Sequence, residues 1–357
     1  MGTDSDSSVA SGVGIALVGC GAMGGVVARR VYANRAEGRY ALVAAVDTRP
    51  ERAAEIAELL DIPAFDSLHS AIAAGVGIDA VDIRLPHHLH ATAALAAIDL
   101  DRHVLIEKPL ATSMADGTRI VEAARRHGVV AAVAENYPHL AAVRAAADAI
   151  QRGDTGPVGA LRTTRAYPLG GVWTRDGWRQ GGGPSAGILL DQGTHHTSLL
   201  RRLGGPIESV SASAPGNGAA AETVLLSVRF TSGQVGQSLY SWCTPAIEGE
   251  PEATVFGATA RIDIGVSYDS VSGHARRYDG STPGGVAISP AENYYDSHRL
   301  IIEDWVSSIS EGRAPVVTAQ DALADLAVVL AAVESLESGG FPVAVVAPPE
   351  AVRCAAT

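Results

Sequence analysis

The sequence predicts an α/β protein built from two unlike sheets: a doubly wound parallel sheet first, then an antiparallel or mixed one. Three observations carry this. Apolar runs of strand length alternate with helix-like segments up to about residue 136. A glycine-rich turn, GCGAMG, joins the first run to the first helix. Beyond about residue 155, strand-like runs follow one another without helices between them. A chain of 357 residues also exceeds what one typical core encloses. The first domain is placed at 13–137 and the second at 138–340, with 1–12 as a disordered tail and 341–357 as a C-terminal extension.

The early strands are GIALVG (14–19), ALVAAVD (41–47), DAVDIRLP (79–86), HVLIEKP (103–109) and VVAAVAEN (129–136). Their unbroken apolar character suits a sheet covered on both faces. Between them lie AMGGVVARRVYANRA, then PERAAEIAELL with Pro50 at a helix start, HLHATAALAAIDL, and SMADGTRIVEAARRHG with Ser113 as N-cap and Gly128 just past the end. In the second part VGALRTTRA, AETVLLSVRF, GQVGQSLYSW, PEATVFG and ARIDIGVS read as strands, with a Thr-Ser-Gly turn at 231–233. Residues 212–221 and 267–292, rich in Gly, Ser, Pro and Ala, read as loops. Helices at about 296–311 and 319–337 close the pattern.

The composition excludes several classes. At 47% hydrophobic and 18% charged the chain is ordinary globular material. A net charge of −12 argues against a nucleic-acid surface. There is no signal-peptide pattern at the start and no apolar stretch long enough to span a membrane. Cys20, Cys243 and Cys354 are few and scattered, which points to a reducing cytoplasm.

Among the 27 basic residues Lys108 is the sole lysine; the rest are arginine. Codon bias explains the scarcity of lysine but not the survivor. Arginine stays protonated in proteins, whereas a lysine in a partly dry site can exchange a proton. Lys108 also falls at a strand C-terminus, and ligands of an open doubly wound sheet lie outside those ends. Gly19, Asp47, Pro86, Glu107 and Asn136 share that edge.

GCGAMG (Gly19, Gly21, Ala22, Met23 and Gly24 around Cys20) follows a strand and opens a helix. In that setting the glycines let the backbone approach a pyrophosphate at a helix N-terminus, the mark of a dinucleotide-binding Rossmann domain. Asp47 can accept from both adenosine ribose hydroxyls and disfavours a 2′-phosphate, so NAD is expected. Arg49, just past Thr48, keeps NADP open. Asp47 can equally cap the following helix.

With these residues in view, GCGAMG, LPHHLH, Glu107-Lys108-Pro109 and LLDQGTHH together resemble the glucose–fructose oxidoreductase, inositol dehydrogenase and MocA-type family over residues 13–340. The resemblance implies a Rossmann domain followed by an α/β domain with a large, open, mostly antiparallel sheet. It implies pairing through that sheet into homodimers or homotetramers, and NAD(P)-dependent hydride transfer at a hydroxyl or keto carbon of a sugar, aminosugar or cyclitol. It gives Lys108, Asp191 and His195 as the catalytic set, and Leu85, Pro86 and His90 as a segment lining the cofactor. Where many members carry an aspartate three residues after the histidine, this chain has Ser198, preceded by His196.

The residues agree on their own terms. Asp191 and His195 would share one face if helix began near Asp191, and a carboxylate beside an imidazole tunes a general acid–base. His196 points elsewhere and reads as structural. Tyr137, Trp178 and Arg179 are candidate substrate contacts, the latter two inside GWRQGGGPSAG, which could equally be a plain surface loop. His87, His88 and His90 lack a neighbouring carboxylate or cysteine at ligand spacing, so no metal is expected. Three other readings stay open: a keto-sugar reductase running in reverse, a redox-neutral NAD-dependent glycosidase, and a non-enzymatic sugar or cofactor sensor.

Overall fold

Six parallel strands in the order β3-β2-β1-β4-β5-β6 form the first sheet of the computed structural model. The structure describes residues 12–34, 38–174, 177–178, 187–215, 221–245, 249–267, 269–282 and 284–348. The elements run β1 (Val13–Val18), α1 (Ala22–Arg30), β2 (Tyr40–Val46), α2 (Pro50–Leu60), β3 (Ala64–Phe65), α3 (Leu68–Ala73), β4 (Ala80–Ile83), α4 (His90–Ile98), β5 (His103–Glu107), α5 (Met114–His127) and β6 (Ala131–Ala134). Local chemistry fixes the helix ends. The Ser113 hydroxyl accepts from Asp116 N–H, and Gly128 takes the left-handed conformation that closes α5. Pro50 opens α2, but the N-cap there is Arg49, not Asp47.

α6 (Ala141–Gln151) then leads into β7 (Val158–Ala166), α7 (Thr194–Gly204), β8 (Ile207–Ser213), β9 (Thr223–Phe230), β10 (Val235–Ser241), β11 (Ala253–Gly257), β12 (Ala260–Val266), β13 (Val271–Arg277), β14 (Val286–Ala287), α8 (Asp296–Glu311), α9 (Ala319–Glu337) and β15 (Val343–Ala344). These strands make a nine-stranded sheet, β14-β13-β12-β11-β7-β10-β9-β8-β15. Every neighbouring pair is antiparallel except β7 with β10.

The expected α/β architecture, parallel then mostly antiparallel, is what the structure shows. Several details differ. β3 and α3 went unread because a two-residue strand and a six-residue helix leave too little periodicity. β8 went unread as well. Part of 267–292, expected to be loop, is strand: β13 pairs with β12 over seven residues, and backbone pairing does not need an apolar sequence. β15, within the expected C-terminal extension, adds to the sheet edge beside β8.

The last helices return to the first sheet. Ile301, Ile302, Trp305 and Val306 of α8 are buried in one cluster with Ile15, Leu17 and Leu105 of β1 and β5. Leu323 and Leu326 of α9 join the cluster on the opposite face, with Val104, Ile106 and Ile120. This burial brings the start of α8 to the carboxyl edge of the parallel strands. No helix among the described residues is long and apolar enough to cross a membrane.

Candidate active site

The strand order reverses between β1 and β4, so the carboxyl edge opens there into a crevice. It encloses about 350 Å³, with Gly19, Gly21 and Asp47 in its wall together with Lys108, Asp191 and His195.

At the glycine end the backbone comes close to itself. Gly19 has φ +98°, and a Cβ on Gly24 would lie 2.1 Å from the Gly19 carbonyl oxygen. Only glycine permits this contact between β1 and α1. The N-cap Gly21 provides no side-chain hydrogen bond, so the N-terminus of α1 faces the crevice uncapped by a side chain. This cradle fits a pyrophosphate. Asp47 closes the turn: its Oδ2 accepts from Cys20 N–H at 2.9 Å and its Oδ1 from Arg49 N–H at 2.9 Å. The carboxylate is thereby oriented, with lone pairs remaining for ribose hydroxyls. Thr48, Arg49, Ala22, Met23, Leu85 and Pro86 also line this wall. The Cys20 thiol, pushed up to about 12 by burial and the Asp47 carboxylate, stays protonated.

Lys108 emerges from the end of β5 and is 6% exposed. Its Nζ donates to Asp191 Oδ1 at 2.5 Å and to the Asp191 carbonyl at 2.7 Å. His87 Nε2 stands 3.9 Å from the same Oδ1, and the His87 ring packs edge-on against Trp178 at 4.6 Å. Asp191 lies in a π-helical turn, Leu189–Gly193, that precedes α7. Although four residues apart, Asp191 and His195 take different partners.

His195 therefore has a different partner from the one its sequence spacing suggests. Its Nδ1 lies 2.8 and 2.9 Å from the two carboxylate oxygens of Glu135, at the end of β6. Glu135 is 2% exposed and also accepts from Tyr137 N–H at 3.2 Å.

A second layer supports the wall. Arg84 bridges Asp82 and Glu107, each at 2.6 Å, and Tyr32 donates to Asp82 at 2.8 Å. Burial alone would raise the Glu107 carboxyl, but Arg84 and Lys108 outweigh it and hold Glu107 below its ordinary value. His90 lies behind the wall, fully buried, its ring nitrogens 2.6 Å and 2.8 Å from the Pro109 and Leu85 carbonyls. Asn136 lines the crevice, and its Oδ1 has no hydrogen-bond partner among the described residues. Tyr137 presents its ring to the crevice while its hydroxyl donates to Glu252. Glu252 also accepts from His196 at 2.8 Å and Arg165 at 3.1 Å. Burial opposes its ionisation, yet Arg165, His196 and Tyr137 hold it down to about 2.

Sequence reasoning missed Glu135, Arg84 and Glu252, and also Tyr294, Tyr295 and His298 at the start of α8, which line the crevice. Burial and the nearby Arg84 guanidinium hold His298 down to about 4, so its imidazole is neutral near pH 7. A carboxylate just past a strand end, as in Ala134-Glu135-Asn136, is the local signal for Glu135; nothing local flags the others. Arg179 lies outside the described residues. Among the described residues no three His, Cys, Asp or Glu side chains are grouped to hold a metal.

The fold and crevice are those of a dinucleotide-binding Rossmann domain joined to an α/β domain. Residues 13–135 match the oxidoreductase family's NAD-binding Rossmann fold, and 147–345 match its C-terminal alpha/beta domain. The chain belongs to that family, the glucose–fructose oxidoreductase, inositol dehydrogenase and MocA group. It is 36% identical over 169 residues to the 1,5-anhydro-D-fructose reductase of Ensifer adhaerens, covering 45% of this chain and 49% of the relative. It is 32% identical over 172 residues to the levoglucosan dehydrogenase of Pseudarthrobacter phenanthrenivorans, covering 46% and 43%. Each match thus spans about half the length of the relative. The WlbA dehydrogenase of Bordetella pertussis, solved with NADH and UDP-GlcNAcA, superposes with a TM-score of 0.79 at 22% identity over 94% of this chain and 98% of that one, which shows a shared fold.

Proposed function

We propose that this chain is an NAD-dependent oxidoreductase acting at a hydroxyl or keto carbon of a sugar, aminosugar or cyclitol derivative. The observation that carries the reading is the meeting, in one crevice, of the glycine cradle with a lysine and a histidine each held by its own carboxylate. NAD, when bound, supplies the hydride acceptor. The pyrophosphate would lie on Gly19–Gly24 and the adenosine ribose on Asp47. In the oxidative direction His195 accepts the hydroxyl proton, and the Lys108 ammonium stabilises the developing alkoxide and can relay the proton. Asp191 keeps Lys108 aimed. The same groups serve a keto-sugar reductase in reverse. Pro86, Leu85 and Asn136 complete the cofactor wall, and Tyr137, Trp178 and Arg179 are proposed substrate contacts.

The test is absorbance at 340 nm with NAD and a panel of sugars, cyclitols, aminosugars and nucleotide-linked sugars. Turnover in the wild type that disappears in Lys108→Met supports the reading. Bound NAD with sugar cleavage but no net NADH would replace it with a redox-neutral glycosidase, and binding without any chemistry would replace it with a sensor.

We also propose a homodimer or homotetramer formed through the nine-stranded sheet. Val235 and Leu239 on β10, 46% and 37% exposed, place apolar side chains on its outer face on either side of Gln237. Light scattering that returns a monomer would overturn this. Free Cys20 and Cys243 are in keeping with a reducing cytoplasm.

A further inference from the structure

We infer that Glu135, not Asp191, is the positioning residue for His195, and that it fixes the imidazole with its proton on Nδ1 and its lone pair on Nε2. The inference deepens the proposed function by dividing the site into two carboxylate pairs: Lys108 with Asp191, and His195 with Glu135.

Both oxygens of Glu135 lie within hydrogen-bond distance of the same ring nitrogen. An ionised carboxylate only accepts, so the hydrogen between them is on Nδ1. The Tyr137 backbone N–H also donates to Glu135. Asp191 instead holds Lys108, through its Oδ1 and its backbone carbonyl.

The surroundings of Glu135 make the pairing functional rather than incidental. Glu135 is 2% exposed, and among the described residues no lysine or arginine forms an ion pair with it. Asp325, the other carboxyl near it, is already paired with Arg201, and burial lifts that carboxyl to about 7. His139 nearby is held down to about 4 by burial and contributes no charge near pH 7. A buried carboxylate without a cation is costly. The cation that relieves this cost is the imidazolium formed when His195 takes the substrate proton. Glu135 thus acts through His195: it sets the tautomer that presents Nε2 to the crevice, and it stabilises the charge that catalysis creates there. The Tyr137 ring packs 5.6 Å from that of His195, and the neutral His298 lies near it.

The test begins with the free protein, so that it does not depend on knowing the substrate. Nitrogen-15 spectra of histidine-labelled protein near neutral pH, assigned with His195→Asn, should show His195 as the Nδ1–H tautomer. Glu135→Ala should move that proton towards Nε2. Glu135→Gln, whose amide can donate or accept, should give a mixture and serves if the alanine variant folds poorly. Asp191→Asn should leave the His195 tautomer in place. With a substrate in hand, Glu135→Ala should lower kcat by about 10²–10³-fold while KM stays within a few-fold, the pattern of a misplaced general base. A wild-type Nε2–H tautomer, or one unchanged in both Glu135 variants, overturns the inference even if the chain proves to be a dehydrogenase. Conversely, the tautomer result stands if no dehydrogenase activity is found.

Discussion

His195 and His196 are neighbours in the chain, each hydrogen-bonded to a buried glutamate, and yet they belong to two different regions. At the crevice, His195 keeps 13% of its side chain exposed and uses one ring nitrogen for Glu135. Behind it, His196 is 1% exposed, and its partner Glu252 collects three donors, from Tyr137, His196 and Arg165. Residue type does not separate a reactive cluster from a structural one. What separates them is hydrogen-bonding capacity left over on the side that a ligand can reach. The front cluster has it in His195 and Lys108; the carboxylate at the heart of the rear cluster is committed to three protein donors.

The comparison predicts unlike responses to mutation. The largest concerns the front: Lys108→Met should lower kcat by about 10³-fold or more, and Lys108→Arg should also lose most of it, because a guanidinium keeps the charge without exchanging a proton. NAD affinity, read by fluorescence titration, should stay within a few-fold in both. Near-normal turnover of the arginine variant would remove Lys108 from proton handling.

Next comes the floor of the crevice. Gly24→Ala would put a methyl 2.1 Å from the Gly19 carbonyl, so β1 and α1 must separate. NAD binding should weaken by about 10²-fold or more, whereas the rear cluster should be untouched. An alanine variant that binds NAD normally would break the account of the cradle.

The rear cluster should instead speak through stability. Glu252→Gln leaves Arg165 and His196 without their anion and should cost about 3 kcal/mol, measured by denaturant unfolding. The pH sign follows from the direction of the shift. Glu252 is held down to about 2 from an ordinary 4.5. Its contribution is present above about 4.5 and is lost as pH falls towards 2, so the Gln variant should show a flatter loss of stability over that window. An equally steep loss in the variant would place the acid sensitivity elsewhere.

The smallest effect lies at the adenosine end, where Asp47 is oriented by two backbone N–H groups. Asp47→Ser, with Arg49 and Arg52 lining the same wall, should shift the NADP:NAD affinity ratio by about tenfold towards NADP. An unchanged ratio would move cofactor choice away from Asp47.

How much of this was legible in the sequence depended on whether the signal was local. GCGAMG, Asp47 and Lys108 could be read because alternating strands and helices put them at strand ends, where a doubly wound sheet binds ligands. α8 and α9 were legible as two helical runs closing the pattern, at the bounds the structure shows. The pairing of charges could not. Spacing placed Asp191 beside His195, but each pairs with a residue brought from a distant strand end, Lys108 after β5 and Glu135 after β6, and spacing along the chain does not foretell such contacts. Arg84 looked like one arginine among many until the sheet set it between Asp82 and Glu107. Tyr294 and His298 reach the crevice only because α8 buries Trp305 and its neighbours against the first sheet. Two-residue strands such as β3 leave too short a pattern to see.

The most direct test of the central claim is the rate of absorbance change at 340 nm, measured for wild type and Lys108→Met with NAD and the carbohydrate panel. The account predicts a rate with at least one sugar, aminosugar or cyclitol that falls by about 10³-fold in the variant while NAD still binds. Equal rates in the two proteins would contradict it, because the crevice lysine would then play no part in the chemistry.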